Sequence, residues 1–226
     1  MLTFNEYNTI EEGVHDPSIF KAVFLAGGPG SGKSFIVGKT ALTALGFKLI
    51  NSDDAFENAL KKAGMEATPE NIYSPKGQNL RAGAKALTAK KMQLAIDGRL
   101  GLVIDGTGKD FNKIKNQADW LKKLGYETAI IFVNTDLETA KIRNQMRDRS
   151  LPDDEVEKMW KAVQKNLGKF QNYFGRNMYI VDNSEGSNYE GAVLSIYRRI
   201  SKWSRKKPES PAASEWVEYQ KKPNLG

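Results

Sequence analysis

The apolar run Ile19-Phe20-Lys21-Ala22-Val23-Phe24-Leu25-Ala26 passes directly into Gly27-Gly28-Pro29-Gly30-Ser31-Gly32-Lys33-Ser34. The first eight residues read as a buried strand, and the segment from Lys33 to about Leu45 reads as a helix closed by Gly46. The eight between them fit G-x-x-x-x-G-K-[ST], in the strand–loop–helix setting that makes this pattern a phosphate-binding loop rather than a glycine-rich turn. The glycines let successive backbone N–H groups turn inward, so Gly28, Pro29, Gly30, Ser31 and Gly32 form a cradle for phosphate oxygens. Lys33 is placed to reach β- and γ-phosphates, and Ser34 offers a hydroxyl to Mg²⁺. The dinucleotide pattern G-x-G-x-x-G fits no frame of this loop, which removes NAD-type readings.

Outward from the loop, short apolar runs alternate with amphipathic stretches, the pattern of a parallel sheet with crossover helices. Further strands are expected at Phe47–Ile50, Leu100–Ile104, Ala129–Val133 and Met178–Val181. Helices are expected over Gly77–Ile96, Phe111–Leu124 and Asp153–Phe170, and from Asp136 onward, where Thr135 and Glu138 have capping-box spacing. The expected fold is α/β, a three-layer sandwich around a mainly parallel sheet of about five strands. Residues 1–18 read as an extension, 19–204 as the catalytic domain, and 205–226 as a basic, loosely attached tail.

Composition narrows the chemistry. The 226 residues include no cysteine and one histidine, His15. Disulfides, thiolate nucleophiles, iron–sulfur clusters and Cys-ligated zinc are excluded, as is any mechanism using two imidazoles. No run approaches 18 apolar residues and the first residues are acidic, so neither a membrane span nor a signal peptide is expected, and a cytoplasmic location is. The net charge of +7 is uneven: residues 1–140 hold 17 basic and 16 acidic side chains, whereas residues 141–226 hold 17 and 11.

A phosphate loop does not by itself distinguish transfer to water from transfer to a hydroxyl. The second strand is followed by Asn51-Ser52-Asp53-Asp54. Strand carboxyl ends line the ligand crevice of an open α/β sheet, and a carboxylate there can take the proton of an attacking hydroxyl. Either aspartate could do so, or could instead cap the helix expected over Ala55–Lys62. The third strand ends at Asp105-Gly106-Thr107, where Asp105 can hold Mg²⁺ through water. A haloacid-dehalogenase phosphatase box would need an aspartate two residues before Asp105, and Val103 stands there.

These motifs resemble the P-loop kinases that include phage-type 5′-polynucleotide kinases and zeta toxins. The resemblance is carried by Gly28–Ser34 with Asp53-Asp54 some twenty residues on, and it implies that Asp53 is the general base. The polynucleotide-kinase pattern has an arginine shortly after the aspartate pair, but Phe56 holds that place here. Asp105-Gly106-Thr107 is closer in form to the Glu-Gly-Thr of the toxins. Arg143-Asn144, Arg147 and Pro152 reproduce the family's arginine lid, expected near 143–152. This implies Arg147 at the transition-state phosphate, Arg143 supporting it and Arg149 on the nucleotide.

The expected activity is therefore an ATP-dependent kinase (another nucleoside triphosphate is an alternative) using Mg²⁺ and a hydroxyl acceptor, with no obligate protein partner evident. A nucleic-acid hydroxyl, either a 5′ end or a hydroxymethylated base, is the leading acceptor. Six basic residues in Arg198–Lys207, with Trp203, Trp216 and Tyr219 nearby, would suit a nucleic acid. A UDP-sugar, as in zeta toxins, and a free nucleoside are the other candidates. A non-kinase ATPase acting on a partner is the reading from a different class. The segment from Met65 to Gln78 is expected to shape the acceptor pocket.

Overall fold

The computed structural model describes residues 14–147 and 150–221. Five strands, β1 (Lys21–Ala26), β2 (Lys48–Ile50), β3 (Leu102–Ile104), β4 (Glu127–Asn134) and β5 (Met178–Asp182), form one sheet in the order β2-β3-β1-β4-β5. All four pairings are parallel, with Phe24 opposite both Ile104 and Ile130. Every residue of β1 is buried, as expected for a parallel strand covered on both faces.

Side chains alternate between two cores. Ala22, Phe24 and Ala26 of β1 face α5 (Phe111–Lys123) and α8 (Leu167–Phe174) through Ile114, Leu121, Phe170 and Phe174. Val23 and Leu25 face the other way, onto Ile36 of α1 (Lys33–Thr40) and Val193, Ile196 and Ile200 of α9 (Tyr189–Ser204). This is the expected three-layer α/β sandwich, the fold of P-loop NTPases. Between β2 and β3 the chain adds α2 (Ser52–Lys62), α3 (Pro69–Tyr73) and α4 (Pro75–Asp97), which bury Phe56, Leu60, Ile72 and Ala84 in a small core of their own. β1 has β3 on one side and β4 on the other, so the strand order reverses there and the crevice opens beyond its carboxyl end.

Tertiary contacts override several local readings. The helix expected from Lys33 to Leu45 stops at Thr40, because Ala41 adopts φ 46° and a 3₁₀ turn, Leu42–Leu45, follows it. The helix expected over Asp153–Phe170 divides into α7 (Asp153–Gln164) and α8. At the break, the buried Asn166 donates from its amide to the carbonyls of Gly108 and Lys109, both at 3.0 Å. The cap of α2 is Asn51 rather than either aspartate, and the cap of α6 (Leu137–Gln145) is Asp136 rather than Thr135.

The tail reading also needs correction. Pro211–Gln220 forms a helix, α10, capped by Ser210, with Pro211 where a missing N–H costs nothing. Ala213 is fully buried and Trp216 packs edge-on against Phe20. Trp203 likewise stacks on Phe47 and donates to Glu127 at 2.7 Å. Two of the three aromatic residues expected to stack on bases therefore serve packing, and Tyr219 alone of them is exposed. The basic run lies at the wrong edge as well. Ser18, just before β1, donates to the carbonyl of Ser204, which places Arg205–Lys207 at the amino ends of the strands.

The same edge contains a buried ion pair. The Lys21 side chain is fully buried and donates to Glu127 at 2.5 Å. Burial lowers the Lys21 pKa against the opposing pull of Glu127. Replacing Glu127 with alanine strands this ammonium and should cost about 3–5 kcal/mol in urea unfolding. A loss below about 1 kcal/mol would mean that water reaches Lys21 and the pair is not a buried one.

Candidate functional site

The phosphate loop is held from three sides. The Gly27 N–H donates to the carbonyl of Thr107 at 3.0 Å, joining the loop to the segment after β3. Gly30 has φ 71°, and a Cβ there would lie 2.1 Å from the carbonyl oxygen of Ala140. Gly32 has φ 80°, and a Cβ there would come within 2.4 Å of the Asn183 amide nitrogen. That amide donates to the Ser31 carbonyl at 2.9 Å. Gly32 caps α1 without a side chain, so no side-chain acceptor takes up the first-turn N–H groups. Together with the helix dipole they form an anion site.

The charged groups meet beside this loop. Lys33 donates to the Gly27 carbonyl at 2.6 Å. Its pKa is lowered by burial; Asp105 opposes that shift, Arg147 adds to it and Asp53 opposes it. Asp105 is pushed the other way: burial raises its pKa, Lys33 counters, and Asp53 and Asp54 raise it further. Its Oδ1 is buried without a hydrogen-bond partner. Asp54 is raised by burial and by the neighbouring carboxylates Glu57 and Asp53, while its Oδ1 accepts from Asn51 at 3.0 Å. Asp53 thus acts on Lys33 as well as on Asp105.

Lys33, Ser34, Asp53, Asp105, Thr107 and Arg147 all line one cleft of about 1230 Å³. Residues of α2, α3 and α4 line it as well, among them Pro69, Ile72 and Tyr73 of the segment Met65–Gln78. Arg143 and Arg147, both expected in an arginine lid, diverge. Because α6 ends at Gln145, Arg147 lies beyond the helix and Arg143 does not share a helical face with it. Arg143 donates instead to the carbonyl of Asn183 at 2.7 Å, so it braces the residue that holds the loop. Asn144, fully buried, donates from its amide to the Leu151 carbonyl at 2.7 Å and accepts from the Leu151 N–H at 3.2 Å, which ties α6 to the segment before α7. Arg149 lies outside the described residues.

Reading the sequence alone misses Asn183, Arg81 and Lys85. Asn183 follows the fifth strand, and its place at a strand carboxyl end is the signal that could have found it. Arg81 and Lys85 on α4 line the cleft, but nothing in their spacing points there.

Asp105 also offers a test of this electrostatic arrangement. Folding raises its pKa even with Lys33 beside it, so as pH rises past 3.8 the folded state holds this proton more tightly than the unfolded one. The stability that Asp105 contributes is full below that value and is lost as pH rises through the folded-state pKa. Asp105→Asn should therefore raise the unfolding midpoint at neutral pH, on the order of 2–4 °C for about 1 kcal/mol relieved. The gain should shrink towards pH 3.8 in pH-dependent thermal scans. A destabilised variant at neutral pH would show the charge to be favourable where it stands.

A model of the zeta toxin family matches residues 5–193. The chain belongs to the zeta toxin family. Among solved structures, the chain is similar to that of AvrRxo1-ORF1:-ORF2 with ATP at TM-score 0.59 and 14% identity, covering 84% of this chain and 68% of that one. It is similar at TM-score 0.53 and 15% identity to a structure of the PezAT chromosomal toxin–antitoxin system of Streptococcus pneumoniae, covering 81% and 86%. A chain of the Pnkp1/Rnl/Hen1 RNA repair complex aligns at TM-score 0.51 and 18% identity, with 66% of this chain covering 46% of that one. The protein thus spans under half of that repair chain. At these identities the solved structures support the shared fold of this zeta toxin family member. A search of curated proteins finds no match. No described helix is long and apolar enough to cross a membrane.

Proposed function

We propose that this zeta toxin family protein is an ATP-dependent kinase that transfers the γ-phosphate to a hydroxyl of a UDP-sugar. The observation that carries the reading is the meeting of Lys33, Asp105 and Asp53 in one cleft at the mouth of the phosphate loop. The loop N–H groups and Lys33 bind the triphosphate. Asp53 takes the proton as the acceptor oxygen bonds to the γ-phosphorus and the bond from phosphorus to the β-bridging oxygen breaks, releasing ADP. Arg147 balances charge on the transferring group, and Arg143 keeps the loop in place through Asn183.

Ser34 and Asp105 are the residues that would hold Mg²⁺. The fit rests on the exposed Ser34 at the start of α1 and on the unpartnered Oδ1 of Asp105. The ion would neutralise charge on the β- and γ-phosphate oxygens.

The choice of acceptor follows the placement of charge. The basic run that favoured a nucleic acid stands at the opposite edge of the sheet from Asp53, and Trp203 and Trp216 are committed to packing. Family membership and the toxin-like Asp105-Gly106-Thr107 support a UDP-sugar. Incubation with γ-labelled ATP and a panel of UDP-sugars, 5′-hydroxyl oligonucleotides, hydroxymethylpyrimidine DNA and nucleosides tests this. Label should enter a UDP-sugar. Label confined to an oligonucleotide would replace the acceptor, and label found only in inorganic phosphate would favour a non-kinase ATPase.

A further inference from the structure

Across the cleft from the phosphate loop, the Arg81 guanidinium lies 4.9 Å from the ring centroid of Phe56. Phe56 is almost wholly buried and follows Asp53 by three residues on α2, so the ring sits about one helical turn from that carboxylate. Lys85 is four residues beyond Arg81, on the same face of α4, and lines the same cleft. The backbone that carries both is fixed. Leu80 and Ala84 of α4 pack with Phe56, Leu60 and Ile72. Gly77 lies so close to α3 that a Cβ would stand 2.1 Å from the Asn71 carbonyl oxygen.

We propose that Arg81, held over the Phe56 ring, and Lys85 form an anion-binding subsite that holds the phosphate groups of the acceptor. The contact with the ring draws on the positive charge, and a guanidinium carries five N–H donors that remain for hydrogen bonds. Among the described residues, neither Arg81 nor Lys85 has a carboxylate within ion-pair distance. The carboxylates of the cleft are Asp53, Asp54, Glu57, Asp105 and Glu155. An acceptor carrying phosphates would meet repulsion on its way to Asp53 unless cations stood on the acceptor side, and these two do. Packing accounts for an arginine over Phe56, and Lys85, exposed one turn on, adds a second cation with no carboxylate in ion-pair reach among the described residues.

The inference rests on the kinase reading only for its naming of the acceptor side, and binding tests it separately. The protein is saturated with Mg²⁺ and a non-hydrolysable ATP analogue, which fills the phosphate loop, and is then titrated with UDP and with uridine. A second arm compares dithymidine phosphate with thymidine. Wild type should prefer the phosphate-bearing probe by about tenfold or more. Arg81→Ala and Lys85→Ala should each narrow that ratio, and Arg81→Lys, which keeps the charge and the packing stem, should restore part of it.

A preference confined to dithymidine phosphate and lost in Arg81→Ala would keep the subsite and assign it to a nucleic-acid end. No preference in wild type for either phosphate-bearing probe would overturn the proposal, as would a preference untouched in both alanine variants. An Arg81-dependent preference without any labelled acceptor would remove the kinase reading and leave the subsite standing. A labelled UDP-sugar with an unchanged probe ratio would do the reverse.

Discussion

Lys33→Ala should lower γ-phosphate transfer by about a hundredfold to a thousandfold or more, the cost of deleting one preorganised group aimed at developing charge. The size follows from where the ammonium sits. Lys33 is the first residue of α1, pinned to the Gly27 carbonyl and close enough to Asp105 and Asp53 to feel both. Burial makes its charge costly, and triphosphate oxygens are the partners that would repay that cost. Alanine removes the charge but leaves the glycine cradle, so some nucleotide binding should persist while turnover falls. Initial rates with labelled ATP, alongside equilibrium binding of a fluorescent ATP analogue, separate the two. Near-wild-type transfer by Lys33→Ala would remove the phosphate loop from the mechanism.

Asp53→Asn should reduce transfer by about 10²–10⁴-fold while ATP affinity stays close to wild type, because it removes only the proton acceptor. Asp54→Asn is the control. The Asp54 carboxylate already accepts from the Asn51 side chain at 3.0 Å. Its removal should leave most of the activity. The outcome that would reassign the base is the converse pair, with Asp53→Asn active and Asp54→Asn inactive. The two substitutions are neighbouring and nearly isosteric, so a general loss of folding is a poor explanation for a difference between them.

Some features of this protein are legible in the sequence because local geometry fixes them. The phosphate loop is one: Gly30 and Gly32 need left-handed backbone, and the space that a Cβ would fill belongs to Ala140 and Asn183. The alternating cores are another, since β1 has apolar side chains on both faces. What escapes are features that exist only once distant segments meet. Asn166 breaks a helix because the carbonyls of Gly108 and Lys109 come within reach, some 57 residues away in the chain. Pro211 lies in the stretch that reads as a loose tail and instead starts a helix whose Ala213 fits against Gly125. Arg81 has no sequence signal at all, because its meaning comes from lying on Phe56 across the helix pair.

The +7 charge changes meaning in the same way. In the sequence it points to a polyanion; in the fold, Lys21 pairs internally with Glu127, and Arg205–Lys207 stand at the sheet edge remote from Asp53. The cations that line the cleft beside the phosphate loop are Lys33, Arg81, Lys85, Lys109 and Arg147.

The most direct test of transfer to a hydroxyl follows the γ-phosphorus by ³¹P NMR, with ATP, Mg²⁺ and the UDP-sugar panel present together. A kinase should convert the γ-phosphate signal into a new phosphomonoester, at a rate that collapses in Asp53→Asn. Growth of inorganic phosphate alone, at a rate insensitive to Asp53, would contradict transfer to a hydroxyl and leave an ATPase.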